Sequence, residues 1–326
     1  MTTVKLPTRK IGSTDVTAIG FGAMGLSAFY GSVSTDEERL KVRILDAVYA
    51  HGCTNWDTAD AYADSEDLIG KWFKRTGKRD EIFLATKFGF GPPSGKMIDG
   101  DPAYARAAIE KSLKRLGTDH VDLWYLHRAD KTVPIEKTVG AMAEFVKAGK
   151  VKYLGLSEVS ESTLRRAHAV HPISALQVEY SIFTLDIEDP KIGLLKAARE
   201  LGITIVAYAP LGRGFLTGQF LACFAFWQRS PDDLPEDGLK SVGEKHKATA
   251  GQVALAWLLE QGEDVIPIPG TKRVKYLEEN LGALNVKLTA DDLKAVRVVA
   301  EKADAQQGER YPPEFLDSMF SDTPPL

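Results

Sequence analysis

The sequence predicts a single closed (β/α)8 barrel, an α/β fold, on three observations. Eight short runs rich in β-branched and aromatic residues recur along the 326 residues. Segments of helical period lie between most of them. The connections are short, which makes successive strands parallel, each helix returning the chain across the sheet. A doubly wound open sheet is the alternative arrangement of the same alternation. No low-complexity stretch or linker divides the chain, so residues 1–326 read as one barrel domain.

Taken in order, two short apolar patches around Gly12-Ser13-Thr14-Asp15 predict a hairpin over residues 1–17, ahead of the barrel. The predicted strands are Thr17–Gly22, Thr54–Asp57, Ile82–Lys87, Val121–His127, Lys152–Ser157, Ala175–Glu179, Ile203–Tyr208 and Val265–Pro269. A helix over Thr35–Leu45 opens with Thr35 and Glu38 at capping-box spacing. Asp101 reads as the N-cap of a helix with Pro102 at its first position. Ser160 caps a further helix, and Gly202 stops the one ending in Lys196–Leu201. Helices over Val274–Leu284 and Asp291–Ala303 follow the eighth strand, and residues 304–326 form a Pro-containing irregular tail.

Composition excludes several functions. There are 41 Lys and Arg against 45 Asp and Glu, a net charge of −4, which argues against a generic nucleic-acid or polybasic membrane binder. Cys53 and Cys223 are too few for a disulfide scaffold or a cysteine zinc site, and the six histidines show no H-E-x-x-H arrangement. No apolar run approaches the ~18 residues of a membrane-spanning helix. Met1–Lys10 is polar, without a signal-peptide core, so the expected location is cytoplasmic.

Gly20-Phe21-Gly22-Ala23-Met24-Gly25 matches the G-x-G-x-x-G dinucleotide pattern. That motif needs a helix opening at its last glycines, so that the helix start can hold pyrophosphate. Here the next helical pattern begins only at Thr35. The glycines therefore read as a turn leaving the first strand, still able to touch a ligand.

Asp57, Lys87 and His127 each close a predicted strand, and Tyr62 follows Asp57 by five residues. In a barrel all four converge on the C-terminal face, where barrel active sites sit. An isolated charge against an apolar wall is costly, so Lys87 should seek Asp57. An ammonium beside a phenol should lower the tyrosine pKa from ~10 and suit it to act as a general acid. A neutral His127 would orient a carbonyl oxygen. The set suits proton delivery to a carbonyl receiving hydride.

These residues carry a family resemblance. Trp56-Asp57-Thr58-Ala59-Asp60-Ala61-Tyr62 resembles the D-T-A-x-x-Y signature of the aldo-keto reductases, Leu84-Ala85-Thr86-Lys87 their strand-end lysine, and Leu123-Trp124-Tyr125-Leu126-His127 their histidine strand. The likeness continues through Lys150–Ser157, Ala175–Tyr180, Ala207–Gly214 and Ile268–Arg273, and is greatest to the NADP-dependent microbial and plant branch with pyridoxal-reductase-like and perakine-reductase-like enzymes. The resemblance implies NADPH/NADP+ as cofactor and a small aldehyde or ketone as substrate. It makes Tyr62 the acid, Lys87 and Asp57 its tuners and His127 the carbonyl orienter. Ser157 and Gln177 would hold the nicotinamide carboxamide and Tyr208 would stack on the ring, with Gly22, Ala23, Met24, Pro210, Leu211 and Arg213 also against the cofactor. Gly270, Thr271, Lys272 and Arg273 would wrap the 2′-phosphate, with Glu279 and Asn280 near the adenine. Glu158 departs from the Asn of many members. Met24, Tyr30, Phe88 and Trp227 are expected to line the substrate pocket.

The phosphate group also has a direct reading, because a helix start offers free N–H groups and a positive dipole end, and two cations and a hydroxyl add charge-assisted bonds. Two other functions compete with a reductase: a non-catalytic NADPH-binding regulatory subunit on the same fold, and a paralogue impaired by a shortened loop after strand seven. That last reading comes from Leu221–Gln228, an unusually apolar stretch, and from a gap of roughly 20 residues against the expected loop; it predicts a mobile Leu221–Gly238 and a shortened seventh helix.

Overall fold

The computed structural model describes residues 5–27, 35–93, 95–212, 236–305 and 317–326. Strands β1 (Thr8–Ile11) and β2 (Thr14–Thr17) form an antiparallel hairpin. Eight parallel strands follow: β3 (Phe21–Gly22), β4 (Asn55–Asp57), β5 (Phe83–Phe88), β6 (Val121–Leu126), β7 (Val151–Ser157), β8 (Ile173–Glu179), β9 (Thr204–Tyr208) and β10 (Val265–Pro267), each beside the next in chain order. Around them run α1 (Met24–Ser27), α2 (Thr35–Ala50), α3 (Ser65–Thr76), α4 (Pro102–Leu116), α5 (Ile135–Lys147), α6 (Glu161–Val170), α7 (Leu194–Glu200), α8 (Glu236–His246), α9 (Ala250–Leu259), α10 (Val274–Gly282) and α11 (Ala290–Ala305).

The sheet closes between its first and last strands. The Gly20 N–H donates to the Pro267 carbonyl at 2.9 Å, and Gly22 N–H to Pro269 at 3.2 Å. Pro267 and Pro269 have no N–H to return, so this seam is bonded in one direction only. It is also tight: a Cβ at Gly22 would sit 2.6 Å from the Ile268 carbonyl oxygen. The paired glycines thus serve the barrel seam, and the four-residue α1 that follows is no dinucleotide-binding helix. The open-sheet alternative falls with them.

Strand alternation divides the core in two. Phe83, Ala85, Leu123, Tyr125, Ala175, Val206, Ile266 and Ile268 point inward and meet Ile11 and Val16 of the hairpin. Their neighbours point outward into the larger layer beneath the helices, around Trp56, Trp72, Trp124 and Trp257. The hairpin stops the bottom of the barrel, where Arg9 donates to the carbonyls of Leu259 and Gly262 at 2.6 and 2.8 Å.

The predicted caps at Asp101 and Ser160 are present, the Thr35–Glu38 capping pair lies outside the described side chains, and Gly117 adds a stop that the sequence reading does not include. Asp101 accepts from the Ala103 N–H at 2.7 Å, Ser160 from the Thr163 N–H at 3.0 Å, and Gly117 ends α4 at φ +62°. Thr17 belongs to the hairpin rather than to the first barrel strand, because Ala18 turns back to bond Pro7. The helix from Thr35 runs on to Ala50, and the one from Val274 tightens to a 3₁₀ turn over Ala283–Asn285. The last ten residues lie across the start of α6, Ser321 bridging Val159. Of Leu221–Gly238, the segment expected to be mobile, residues 221–235 lie outside the described residues, and the remaining three open α8. Among the described residues no helix is long and apolar enough to cross a membrane.

Candidate active site

Strands β4, β5 and β6 deliver Asp57, Lys87 and His127 to one end of the barrel. Asp57 lies level with Ala85 and Lys87 with Tyr125. The connections are tied to the neighbouring strand: Thr58 N–H to Ala85, Asp60 N–H to Lys87 and His127 N–H to Phe88, at 2.8, 3.0 and 2.8 Å. The Lys87 ammonium is fully buried and paired with Asp57 Oδ1, donates to the Thr58 carbonyl at 2.8 Å, and lies 3.5 Å from the Tyr62 hydroxyl. Gln177 Nε2 donates to Asp57 Oδ2 at 2.8 Å. Burial opposes the lysine charge, but Asp57 and Tyr62 outweigh it and hold the pKa above its ordinary value.

The sequence expectation for Tyr62 needs correcting. Its pKa lies above the ordinary tyrosine value, not below, because burial outweighs the pull of Lys87 and Asp57 adds to the rise. Tyr62 therefore carries its proton at neutral pH. Its ring meets His127 edge-on with centroids 5.7 Å apart. Burial, then Arg128 and Lys87, push the His127 pKa far down, so the imidazole is neutral. Its Nδ1 is buried and has no hydrogen-bond partner among the described residues.

Strand ends further round carry Ser157, Gln177 and Tyr208. Ser157 is level with Gln177, and Glu179 with Tyr208. Ser157 Oγ accepts from Arg128 at 3.2 Å, and the Tyr208 ring is part-exposed. Glu158 is fully buried at φ +54°, its Oε1 accepting from the Glu179 N–H at 2.9 Å. Across the seam lie Gly22, Ala23 and Met24, with the Ala23 N–H bound to the Asp57 carbonyl at 2.8 Å. Gly270 to Arg273 lead into α10, with Gly270, Lys272 and Arg273 exposed and Thr271 Oγ1 accepting from the Arg273 N–H at 3.1 Å. Glu279 Oε1 is engaged by Thr249 Oγ1 at 2.7 Å, and Asn280 is buried beside it on α10. Pro210 is buried and Leu211 part-exposed after β9.

Residues 18–301 match the Aldo/keto reductase family. The chain belongs to the aldo/keto reductase family. It is 56% identical over 348 positions to aldo-keto reductase str7 of Strobilurus tenacellus, covering 98% of this chain and 99% of that protein. It is 48% identical over 350 positions to the Schizosaccharomyces pombe aldo-keto reductase yakc [NADP(+)], covering 99% of each. Since this chain has 326 residues, an alignment of 348 positions leaves at least 22 with no counterpart here. Among solved structures, a thermostable aldo-keto reductase in complex with the inhibitor epalrestat superposes with a TM-score of 0.77 at 31% identity, covering 90% of this chain and all of that one.

Within this aldo/keto reductase, one pocket expectation is wrong. Phe88 is fully buried in the outer layer, its ring stacked on Trp124 with centroids 4.5 Å apart. It follows Lys87 directly, so the pleat sends it to the other face of the strand. Phe90, two residues on, is the aromatic that reaches the site, 5.4 Å from the His127 ring. Tyr30, Arg213 and Trp227 lie outside the described residues. Arg128 escaped the sequence reading although it sits next to His127: it donates to the His127 carbonyl at 2.7 Å as well as to Ser157, joining two strand ends. Its position directly after a strand-end histidine was the available signal.

Proposed function

We propose that this protein reduces an aldehyde or ketone to the alcohol with NADPH, and that Tyr62 supplies the proton. One observation carries the reading: a fully buried lysine, fixed by Asp57 and by the Thr58 carbonyl, faces the hydroxyl of a protonated tyrosine beside a neutral imidazole. The donor set at the barrel mouth fits the cofactor. An exposed helix start with Lys272, Arg273 and Thr271 suits a phosphate. Polar Ser157 and Gln177 on adjacent strand ends suit a carboxamide, and the part-exposed Tyr208 ring suits stacking. Gly22, Ala23, Met24, Pro210 and Leu211 would also lie against the cofactor, with Glu279 and Asn280 near the adenine.

NADPH, when bound, supplies hydride to the carbonyl carbon. As that C–H bond forms, the carbonyl π pair moves onto oxygen and takes the Tyr62 proton. The phenolate left behind faces the Lys87 ammonium, whose charge Asp57 sustains; this lowers the energy of a state that burial alone would penalise. The raised resting pKa keeps the proton in place until it is needed. A neutral His127 can donate one N–H to the carbonyl oxygen without competing as an acid.

Turnover of a panel of aldehydes and ketones, followed by NADPH absorbance, tests this. Consumption of NADPH with equal formation of alcohol is expected. Tight NADPH binding with no turnover of any carbonyl would instead make the chain a binding subunit.

A further inference from the structure

The Tyr62 hydroxyl has one hydrogen bond among the described residues, the 3.5 Å contact with Lys87. That contact is too long to orient a phenol by itself. The rest of its orientation comes from the packing of the ring against His127 and from the turn that carries the residue. Two bonds lie within this turn, Tyr62 N–H to the Ala59 carbonyl at 3.1 Å and Ser65 N–H to the Tyr62 carbonyl at 2.9 Å, but between them Ala63 sits at φ +45°, a left-handed conformation that costs a non-glycine residue on the order of 1–2 kcal/mol.

Arg115, in the last turn of α4, reaches this turn from outside. It donates from Nη1 to the Asp60 carbonyl at 3.2 Å and from Nη2 to the Ala63 carbonyl. Those groups lie two residues before Tyr62 and one after it. The guanidinium is itself anchored: Nε and Nη2 reach Asp67 Oδ2 at 2.9 and 2.7 Å, and Nη1 reaches Glu66 Oε2 at 3.0 Å. Glu66 is fully buried, and its other oxygen accepts from Thr86 Oγ1 at 2.7 Å. Thr86 immediately precedes Lys87. A polar chain thus runs from the strand of Lys87 through Thr86, Glu66 and Arg115 to both carbonyls flanking Tyr62.

We propose that Arg115 is a positioning residue: it holds the strained turn so that the Tyr62 hydroxyl stays facing Lys87. The inference rests on the reading of Tyr62 as proton donor. The planar five-donor fork of arginine meets four acceptor groups here, which the three donors of a lysine cannot reproduce.

The test uses the full-length enzyme with NADPH and an aromatic aldehyde, and the variants Arg115→Lys, Arg115→Met, Ala63→Gly and Tyr62→Phe. Arg115→Lys should lower kcat by roughly 10²-fold, the scale of a misplaced reacting group, while NADPH affinity stays within about twofold. Adding Tyr62→Phe to Arg115→Lys should cost much less than Tyr62→Phe alone, since both remove the same proton delivery. Ala63→Gly relieves the left-handed strain and should shrink the Arg115→Lys loss severalfold. If Arg115→Met fails to fold, Arg115→Lys carries the measurement. Unchanged kcat in a folded Arg115→Lys enzyme would overturn the proposal. So would kcat and NADPH affinity falling together, or a loss that ignores Ala63→Gly. If Tyr62→Phe itself keeps wild-type kcat, the functional reading fails first, which separates the two.

Discussion

Two regions of the same barrel mouth are built on opposite principles. The cluster of Asp57, Tyr62, Lys87, His127 and Gln177 is buried, and its lysine is held by three partners before any ligand arrives. The corner from Gly270 to Arg273 leaves both cations exposed, with Thr271 closing a small turn onto Arg273. The proton transfer proposed for the first region needs geometry within a fraction of an ångström, so its groups must be fixed in advance. The phosphate recognition proposed for the second region tolerates more freedom, because charge attraction and helix-start N–H groups act over a wider range of positions. The two regions should therefore fail differently. Damage to the first should remove rate and stability, and damage to the second should remove affinity and cofactor choice.

The largest effect should come from Tyr62→Phe, which keeps the ring and deletes the proton. A kcat loss of about 10²–10⁴-fold is expected, with NADPH affinity nearly intact. Fluorescence titration of NADPH alongside turnover separates the two quantities. A Phe variant with wild-type kcat would put the proton elsewhere and dissolve the contrast.

Lys87→Met tests the burial side of the comparison. It leaves the Asp57 carboxylate in a site where Asp57 is only 4% exposed. Removing one partner of a buried pair costs about 3–5 kcal/mol, far more than an exposed pair would. Urea unfolding should show that loss in addition to lost turnover. A variant as stable as the parent would mean the pair is better hydrated than its burial indicates.

Replacing Lys272 and Arg273 together by Ala should do the reverse. Stability and kcat at saturating cofactor should hardly change, while NADPH affinity falls roughly tenfold or more and NADH affinity falls far less. Equal weakening of both cofactors would remove the 2′-phosphate from this corner.

The comparison also explains what the sequence made legible. Asp57, Lys87 and His127 could be read because each ends a strand, and parallel strands in a barrel bring their C-terminal ends together. That Lys272 and Arg273 form a basic pair ahead of a helix could be read because this needs no tertiary information; their proposed phosphate role rests on the cofactor experiment. Phe88 was misplaced because strand alternation sends adjacent residues to opposite faces, and Lys87 had already taken the inner one. The direction of the Tyr62 pKa was misread because a charge partner is visible in sequence and the degree of burial is not. Arg115 lies 53 positions from Tyr62 and acts on backbone carbonyls, which no residue pattern advertises. Gln177 was expected to face the carboxamide; its bond to Asp57 joins β8 to β4, strands that are not neighbours in the sheet, and this depends on the closed barrel.

The smallest effect sharpens the comparison from within the buried region, at a poorly paired carboxylate. Asp60 Oδ1 is buried without a hydrogen-bond partner among the described residues, and Oδ2 takes a long 3.5 Å bond from the Tyr104 hydroxyl. Burial first, and the nearby Glu66 second, push its pKa up to about 7. In the unfolded chain an aspartate titrates near ~3.9. Between these values the folded state binds more protons than the unfolded one, so stability falls as pH rises from about 4 to about 7 and levels off above. Glu66, also raised chiefly by burial, adds in the same direction. Asp60→Asn removes the Asp60 contribution without removing the side chain. The variant should match the parent near pH 4 and exceed it at pH 8 by on the order of 1 kcal/mol, a value reduced for partial solvent access. Urea midpoints at the two pH values measure this directly. A gap between variant and parent that does not widen with pH would show that Asp60 is already ionised in the fold, and that the buried side of the site tolerates an unmatched charge.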